Sequence, residues 1–185
     1  LYAAVRARAD RATGRTVEPL ADLAARGVRV AVADYKDTAT LDAAFAGAEK
    51  VLLVSSGSFD DRAGQHRNAI DAAVRAGVQH VVYTSGPKAT TSRLLLMAAS
   101  GLPYTVLRDG WYVENYTGQV DTYLQHGMVG AAGDGRVSIA PRSDYAEAAA
   151  VVLTTDGHAG KVYELGGESL TLAEIAALIS TAPGR

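Results

Sequence analysis

One unit recurs along this chain from residue 28 to residue 110: an apolar run, a small polar or glycine tip, a helical segment, a glycine stop and the next apolar run. The runs at 28–33, 50–54, 78–83 and 104–107 end in Asp34-Tyr35, Ser55-Ser56-Gly57, Thr84-Ser85-Gly86 and Arg108-Asp109-Gly110. Segments 38–46 and 61–76 have helical spacing, the second with apolar residues at 69, 70, 73, 74 and 76, and Gly47 and Gly77 stop them. The runs are continuous rather than alternating, which requires burial on both faces. Such strands alternating with helices predict βαβ units and a doubly wound parallel sheet, the Rossmann-like α/β class. Ligands of these sheets sit at the carboxyl ends of the strands. The four polar tips are therefore the candidate ligand rim.

The flanks are less regular. Residues 1–9 read as a helix, 10–18 as a polar stretch, and 19–26 as a helix with Pro19 in its first turn and Gly27 as its stop. The glycine- and aspartate-rich segment 127–137 reads as turns joining short strands; no strand and helix flank its GAAGDG as a phosphate cradle requires. Ser143-Asp144-Tyr145 is expected to cap a helix reaching residue 153. A strand is expected at 161–165, and Thr171 should cap a last helix through 179. With 185 residues and no internal repeat or linker, one domain is expected, with a small appendage.

Composition removes several function classes. An apolar share of 48% against 21% charged residues is that of a packed domain, not a disordered chain. A net charge of −2 argues against a nucleic-acid surface or a polybasic membrane face, and the longest apolar stretches are too short to span a bilayer. Without cysteine there is no disulfide, thiolate metal site or thiol nucleophile. No secretory pattern is visible, so a cytoplasmic location is expected. His66, His80, His126 and His158 lack metal-ligand spacing and read as structural. There is no GxSxG elbow. None of the nine tyrosines is followed four residues later by lysine, the acid/base pair of many short-chain dehydrogenases. Gly14 is the one early glycine, so the glycine-rich turn that frees backbone amides for a pyrophosphate is not found in these residues.

The strings LAARGVRVAVADYKD, KVLLVSS, QHRNAIDAAVRAGVQHVVYTS, SGLPYTVLRDGWYVENY and GHAGKVYELGG closely resemble the NmrA-like family of atypical short-chain dehydrogenases. The likeness is strongest to the branch of NAD(P)H-dependent quinone oxidoreductases and triphenylmethane reductases. It covers nearly all of residues 19–185, and VADY and RDGWYVENY are its most specific parts. The chain also departs from the family pattern. The opening strand with its GATGxxG turn is not in these residues, and too few residues lie between Arg15 and Glu18 for the second strand, whose closing arginine would face an NADP 2′-phosphate. The family is longer near Leu96-Met97 and continues beyond Arg185 with a substrate-side lobe. These departures surround the cofactor and acceptor crevice, and the chain is expected to be a larger reductase written without mobile loops.

The resemblance implies a division into a cofactor-binding core, residues 1–110, and a small substrate-side lobe, residues 111–185, interleaved with the last core elements. It implies that Asp34 and Tyr35 lie beside the adenine, and that Ser55, Ser56 and Gly57 border the cofactor. Thr84, Ser85 and Gly86 would lie near the nicotinamide ribose, with Arg108, Asp109 and Gly110 flanking the nicotinamide. Trp111, Tyr112 and Asn115 would face the acceptor, with Tyr112 and Asn115 positioning it and Asn115 donating to a quinone carbonyl; Trp111 and Tyr112 could instead be a core anchor for the second lobe. The implied reaction is hydride transfer to a quinone-like or dye-like acceptor, with NADP(H) expected over NAD(H), no metal, and a homodimer compatible with the pattern. Such an acceptor needs no strong general acid, in keeping with the missing Tyr-x-x-x-Lys pair. That absence equally fits a dinucleotide-sensing regulator working through protein partners. An α/β module without a ligand is a third reading.

Overall fold

A computed structural model describes residues 10–55, 61–87 and 91–181. The helix expected over 1–9, and the candidate residues Ser56 and Gly57, lie outside them.

The first described strand, β1 (Arg11–Gly14), pairs in parallel with β2 (Arg29–Val32), with Gly14 opposite Val32. Between them lie a 3-10 turn at Glu18–Leu20 and the short helix α1 (Ala21–Ala25), in place of the single helix expected at 19–26. Helix α2 (Thr38–Phe45) then leads to β3 (Lys50–Leu53), α3 (Arg62–Arg75) to β4 (His80–Ser85), and α4 (Thr91–Ala99) to β5 (Tyr104–Asp109). The last three strands and β8 (Val162–Leu165) form one parallel sheet in the order β3-β4-β5-β8. Its registers align Leu53 with Tyr83, Ser85 with Arg108 and Asp109 with Leu165, so the carboxyl ends share one edge.

Both faces of this sheet are covered, as continuous apolar strands require. Val51, Leu53, Val81, Tyr83 and Val106 pack against Leu41 and Phe45 of α2, Ile70 and Ala73 of α3 and Met97 of α4. Val82 and Leu107 point to the other face and meet Ala149 and Val152 of α7 (Arg142–Thr154). Successive strand residues thus serve opposite cores, the two-sided burial that defines a doubly wound fold. A smaller three-stranded ladder joins β6 (Trp111–Tyr112), β7 (Arg136–Ala140) and β9 (Ser169–Thr171), with β7 parallel to β6 and antiparallel to β9. Helices α5 (Glu114–Thr117), α6 (Val120–His126) and α8 (Leu172–Thr181) accompany it.

Local signals explain most boundaries. Asp37 and Asp61 cap α2 and α3, their carboxylates accepting from Ala39 N and Gly64 N at 3.0 and 2.9 Å. Gly27, Gly47 and Gly77 follow their helices at φ of +83°, +70° and +70°, where a Cβ would be strained. Thr171 starts α8 through a capping box: Glu174 N donates to its hydroxyl at 3.2 Å, and Glu174 Oε2 accepts from Thr171 N at 2.7 Å.

Four expectations are corrected. The strand judged to have too little room is present earlier in the chain, as β1; it was hidden because RATG holds no apolar run and is held by its ladder to β2. Helix α7 begins at Arg142 after Pro141, and no side chain of the Ser143-Asp144-Tyr145 trio caps it. Thr84, Ser85, Arg108 and Asp109 end their strands rather than forming tips beyond them, because the ladders continue to those residues. Segment 127–137 joins a helix, α6, to β7 rather than two strands.

Candidate functional site

The parallel ladders of the four-stranded sheet set Ser55 after β3, Gly86 after β4 and Asp109-Gly110 at β5 along one edge, while the separate β1-β2 pair ends in Gly14, followed by Arg15, and in Asp34-Tyr35 beyond β2. Asp34 turns its own loop, its carboxylate accepting from Lys36 N at 2.9 Å. Tyr35 donates its hydroxyl hydrogen to Val54 O at 2.9 Å, and Asn68 Nδ2 holds the Tyr35 carbonyl at 2.9 Å. Beneath this corner His66 is buried edge-on between the rings of Tyr35 and Tyr83, at centroid distances of 6.4 and 5.4 Å. Ser55 N donates to Thr84 Oγ1 at 3.1 Å, which joins two candidate residues from neighbouring strands. Thr84 and Ser85 are buried, and a Cβ built on Gly86 would meet nothing within 4 Å, so the chain there leaves open space.

Arg15 is the residue the sequence reading left without a place. It directly follows β1, is exposed, and makes no side-chain hydrogen bond or ion pair with the described residues. The signal that could have found it is the pairing of β1 with β2, which a four-residue polar strand does not advertise.

The β5 end is the most congested part. Arg108 Nη1 pairs with Glu164 Oε1 at 2.5 Å, tying β5 to β8, while its Nε is buried without a hydrogen-bond partner among the described residues. Asp109 is 4% exposed. Burial pushes its carboxyl up to about 6, against the lowering effect of the Tyr112 hydroxyl 3.5 Å from Oδ2. Burial first, and the facing Asp109 charge second, push the Tyr112 hydroxyl up to about 12. Gly110 is required by space: a Cβ there would lie 2.6 Å from Ser138 O and 2.9 Å from the Tyr145 hydroxyl.

Beyond β5, Trp111, Glu114, Asn115, Tyr116, Gln119 and Tyr123 line an open recess of about 550 Å³. Trp111 is 50% exposed on its wall. The backbone carbonyl of Asn115 accepts from Gln119 Nε2 at 2.9 Å. Tyr112 faces inward instead, its ring 5.3 Å from that of Tyr145 and under the Arg142 guanidinium at 5.7 Å.

His80 and His158 take structural places. His80 Nε2 lies 2.9 Å from Thr105 Oγ1, and Thr105 donates to His158 O at 2.6 Å, at the amino end of the sheet away from the rim. Among the described residues no group of three or more acidic or histidine side chains could hold a metal ion, and no helix is long and apolar enough to cross a membrane.

The residues present fit the two ends of a dinucleotide. The Gly86 opening leaves room for a flat group at the end of β4, and the exposed Arg15 guanidinium, without a side-chain partner among the described residues, suits a phosphate. The glycine-rich turn for the pyrophosphate is not among them. A doubly wound sheet with this rim defines a nicotinamide-dinucleotide-binding protein, and the pattern of the NAD(P)H-binding family matches residues 3–156: the chain belongs to that family. It is 49% identical over 175 residues to quinone oxidoreductase 2 of Escherichia coli, a match that covers 88% of this chain and 61% of that protein. The crystal structure of the E. coli NADPH-dependent quinone oxidoreductase with NADPH superposes with a TM-score of 0.86 at 45% identity, covering 92% of this chain and 64% of that one. Triphenylmethane reductase from Citrobacter sp. with NADP(H) superposes at 0.85 and 32% identity, covering 94% and 66%. The chain thus spans a little under two thirds of the length of these relatives.

Proposed function

We propose that the protein is an NAD(P)H-dependent reductase of quinone-like or dye-like acceptors in the cytoplasm, with NADPH preferred. The observation that carries this reading is the recess of Trp111, Asn115, Tyr116 and Tyr123 opening directly beyond the β5 end. Three aromatic rings and a carboxamide are what a flat, electron-poor ring needs for stacking and one directed hydrogen bond. The names of the relatives, a quinone oxidoreductase and a triphenylmethane reductase, agree with an acceptor of that shape.

In this reading residues 1–110 hold the dinucleotide and 111–185 supply most of the acceptor side. Tyr35 and Asp34 border the adenine, and Arg15 pairs with the 2′-phosphate, the feature that favours NADPH. Ser55, Thr84, Ser85 and Gly86 line the path to the nicotinamide, which supplies hydride when bound. Arg108, Asp109 and Gly110 form the wall behind it. Asn115 donates its amide hydrogen to the acceptor carbonyl, stabilising the oxyanion that develops there. Orientation carries much of the rate, because quinones accept hydride readily once placed.

The test is direct: the protein is mixed with NADPH and a benzoquinone while the loss of reduced-cofactor absorbance is followed. Acceptor-dependent loss is expected. Binding of NADPH without turnover would replace this reading with that of a dinucleotide sensor, and no binding would leave an α/β module without this ligand.

A further inference from the structure

The β1-β2 pair and the four-stranded sheet β3-β4-β5-β8 share no ladder. In the reductase reading a dinucleotide spans both, with its adenosine half at the β1-β2 ends. The β2 end is a tight turn. Asp37 N donates to Asp34 O at 2.9 Å, Lys36 N to Asp34 Oδ1 at 2.9 Å, and Asp34 N to Thr40 Oγ1 at 3.0 Å. These bonds shape the turn but stay within residues 34–40. Two others reach the second sheet and its helix. Tyr35 Oη donates to Val54 O, just beyond β3, and the Tyr35 carbonyl accepts from Asn68 Nδ2 of α3, both at 2.9 Å.

Local propensity does not explain Asn68. Asparagine is a poor residue for a helix interior, because its side chain competes for nearby backbone groups. Asn68 nevertheless sits in the middle of α3, beside the buried Ala69 and Ile70. Its amide reaches across 33 positions of sequence to Tyr35 instead. Ala69, Ile70 and Ala73 pack the helix into the core with Val81, Tyr83 and Val106, which makes Asn68 a firm anchor for the turn. The anchor extends to Arg15 as well, since Ala33 N donates to Gly14 O at 2.8 Å, the residue before Arg15.

We propose that Asn68 is a positioning residue for the adenosine half of the cofactor. By holding the Tyr35 carbonyl it fixes the turn that carries Asp34 and Tyr35 and, through Ala33 and Gly14, the strand end that leads to Arg15. Without that bond the cofactor must order the turn as it binds, and the cost is taken from its affinity. One net hydrogen bond corresponds to about 3- to 10-fold in Kd. Asn68 acts through Tyr35, at the other end of the dinucleotide from the hydride, so the loss falls on binding and not on transfer. The placement of the adenosine half at Asp34, Tyr35 and Arg15 comes from the reductase reading; the acceptor plays no part in it.

The test compares two substitutions and three ligands. Asn68→Ala removes the group, and Asn68→Asp keeps its shape but, ionised, has no hydrogen to donate to the Tyr35 carbonyl. Fluorescence titrations use NADPH, adenosine 2′,5′-bisphosphate as the adenosine half, and reduced nicotinamide mononucleotide as the other half. In Asn68→Ala the Kd values for NADPH and the bisphosphate should rise together by about 3- to 10-fold, and in Asn68→Asp by no less. Binding of the mononucleotide should not change. Quinone reduction should show the same rise in KM for NADPH, with kcat kept. Equal weakening of all three ligands would mean a general loss of structure and overturns the proposal, as does unchanged binding of the bisphosphate. Wild-type protein that shows the ligand pattern but reduces no quinone defeats the reductase reading alone and leaves the role of Asn68 standing. Wild-type protein that binds neither NADPH nor the bisphosphate defeats both.

Discussion

The Glu114 carboxylate accepts two hydrogen bonds from Arg142 N, at 3.0 and 3.2 Å, and so caps helix α7 from a different helix. The arrangement answers a local deficit, because Pro141 precedes the helix and offers no side chain to its free amides. It also links the two sides of the site: Glu114 lines the recess, while Arg142 lies over the ring of Tyr112. Glu114→Ala should cost about 1 kcal/mol, the usual value of a lost cap. It should also raise KM for the acceptor more than it changes affinity for NADPH. Urea unfolding and acceptor titrations measure the two effects, and a change in neither would show that water replaces the carboxylate fully.

Arg15 follows β1 directly, exposed and without a side-chain partner among the described residues. Losing a charge-assisted hydrogen bond to a phosphate is worth about 1.5–3 kcal/mol. Arg15→Ala should therefore weaken NADPH binding by about 10- to 100-fold and leave NADH binding nearly unchanged. Equal losses for both cofactors would remove Arg15 from the 2′-phosphate.

Asn115 contributes a side-chain amide to the recess while its backbone carbonyl is held by Gln119. Asn115→Ala should slow quinone reduction with NADPH affinity nearly unchanged. Single-turnover rates and cofactor binding by fluorescence separate the two, and an equal loss of both would take Asn115 out of the acceptor site.

The Asp109 carboxyl has a measurable effect on stability. Its folded value, raised to about 6 from 3.8, means that the folded chain holds the proton more tightly than the unfolded chain. This group's favourable contribution is fully present below the unfolded value and is lost as pH rises through the folded one. Relative to wild type, Asp109→Asn should gain up to about 3 kcal/mol between about pH 4 and pH 7. Denaturant midpoints across that range test the sign, and a difference independent of pH would contradict it.

Much of the framework was legible because burial leaves a pattern in the letters. β3, β4 and β5 are nearly continuous apolar runs since each faces two cores, and Gly27, Gly47 and Gly77 mark helix stops because each takes a positive φ. Thr171 and Glu174 could be read as a cap because both partners lie within one turn. The site was legible only in part. Asp34, Ser55, Thr84 and Gly86 could be nominated as strand ends, and the resemblance supplied their roles. The engagement of Arg108 with Glu164 could not be read, since 56 residues separate the partners.

The sequence by itself determined the class of fold, a doubly wound parallel sheet, because apolar periodicity and helix stops are local properties of the chain. Tertiary structure alone decided that RATG is a strand, that Glu114 caps α7, and that Asp109 is buried against Tyr112. Each of these depends on a partner distant in the chain or on the burial that packing creates, and neither leaves a periodic trace in the sequence.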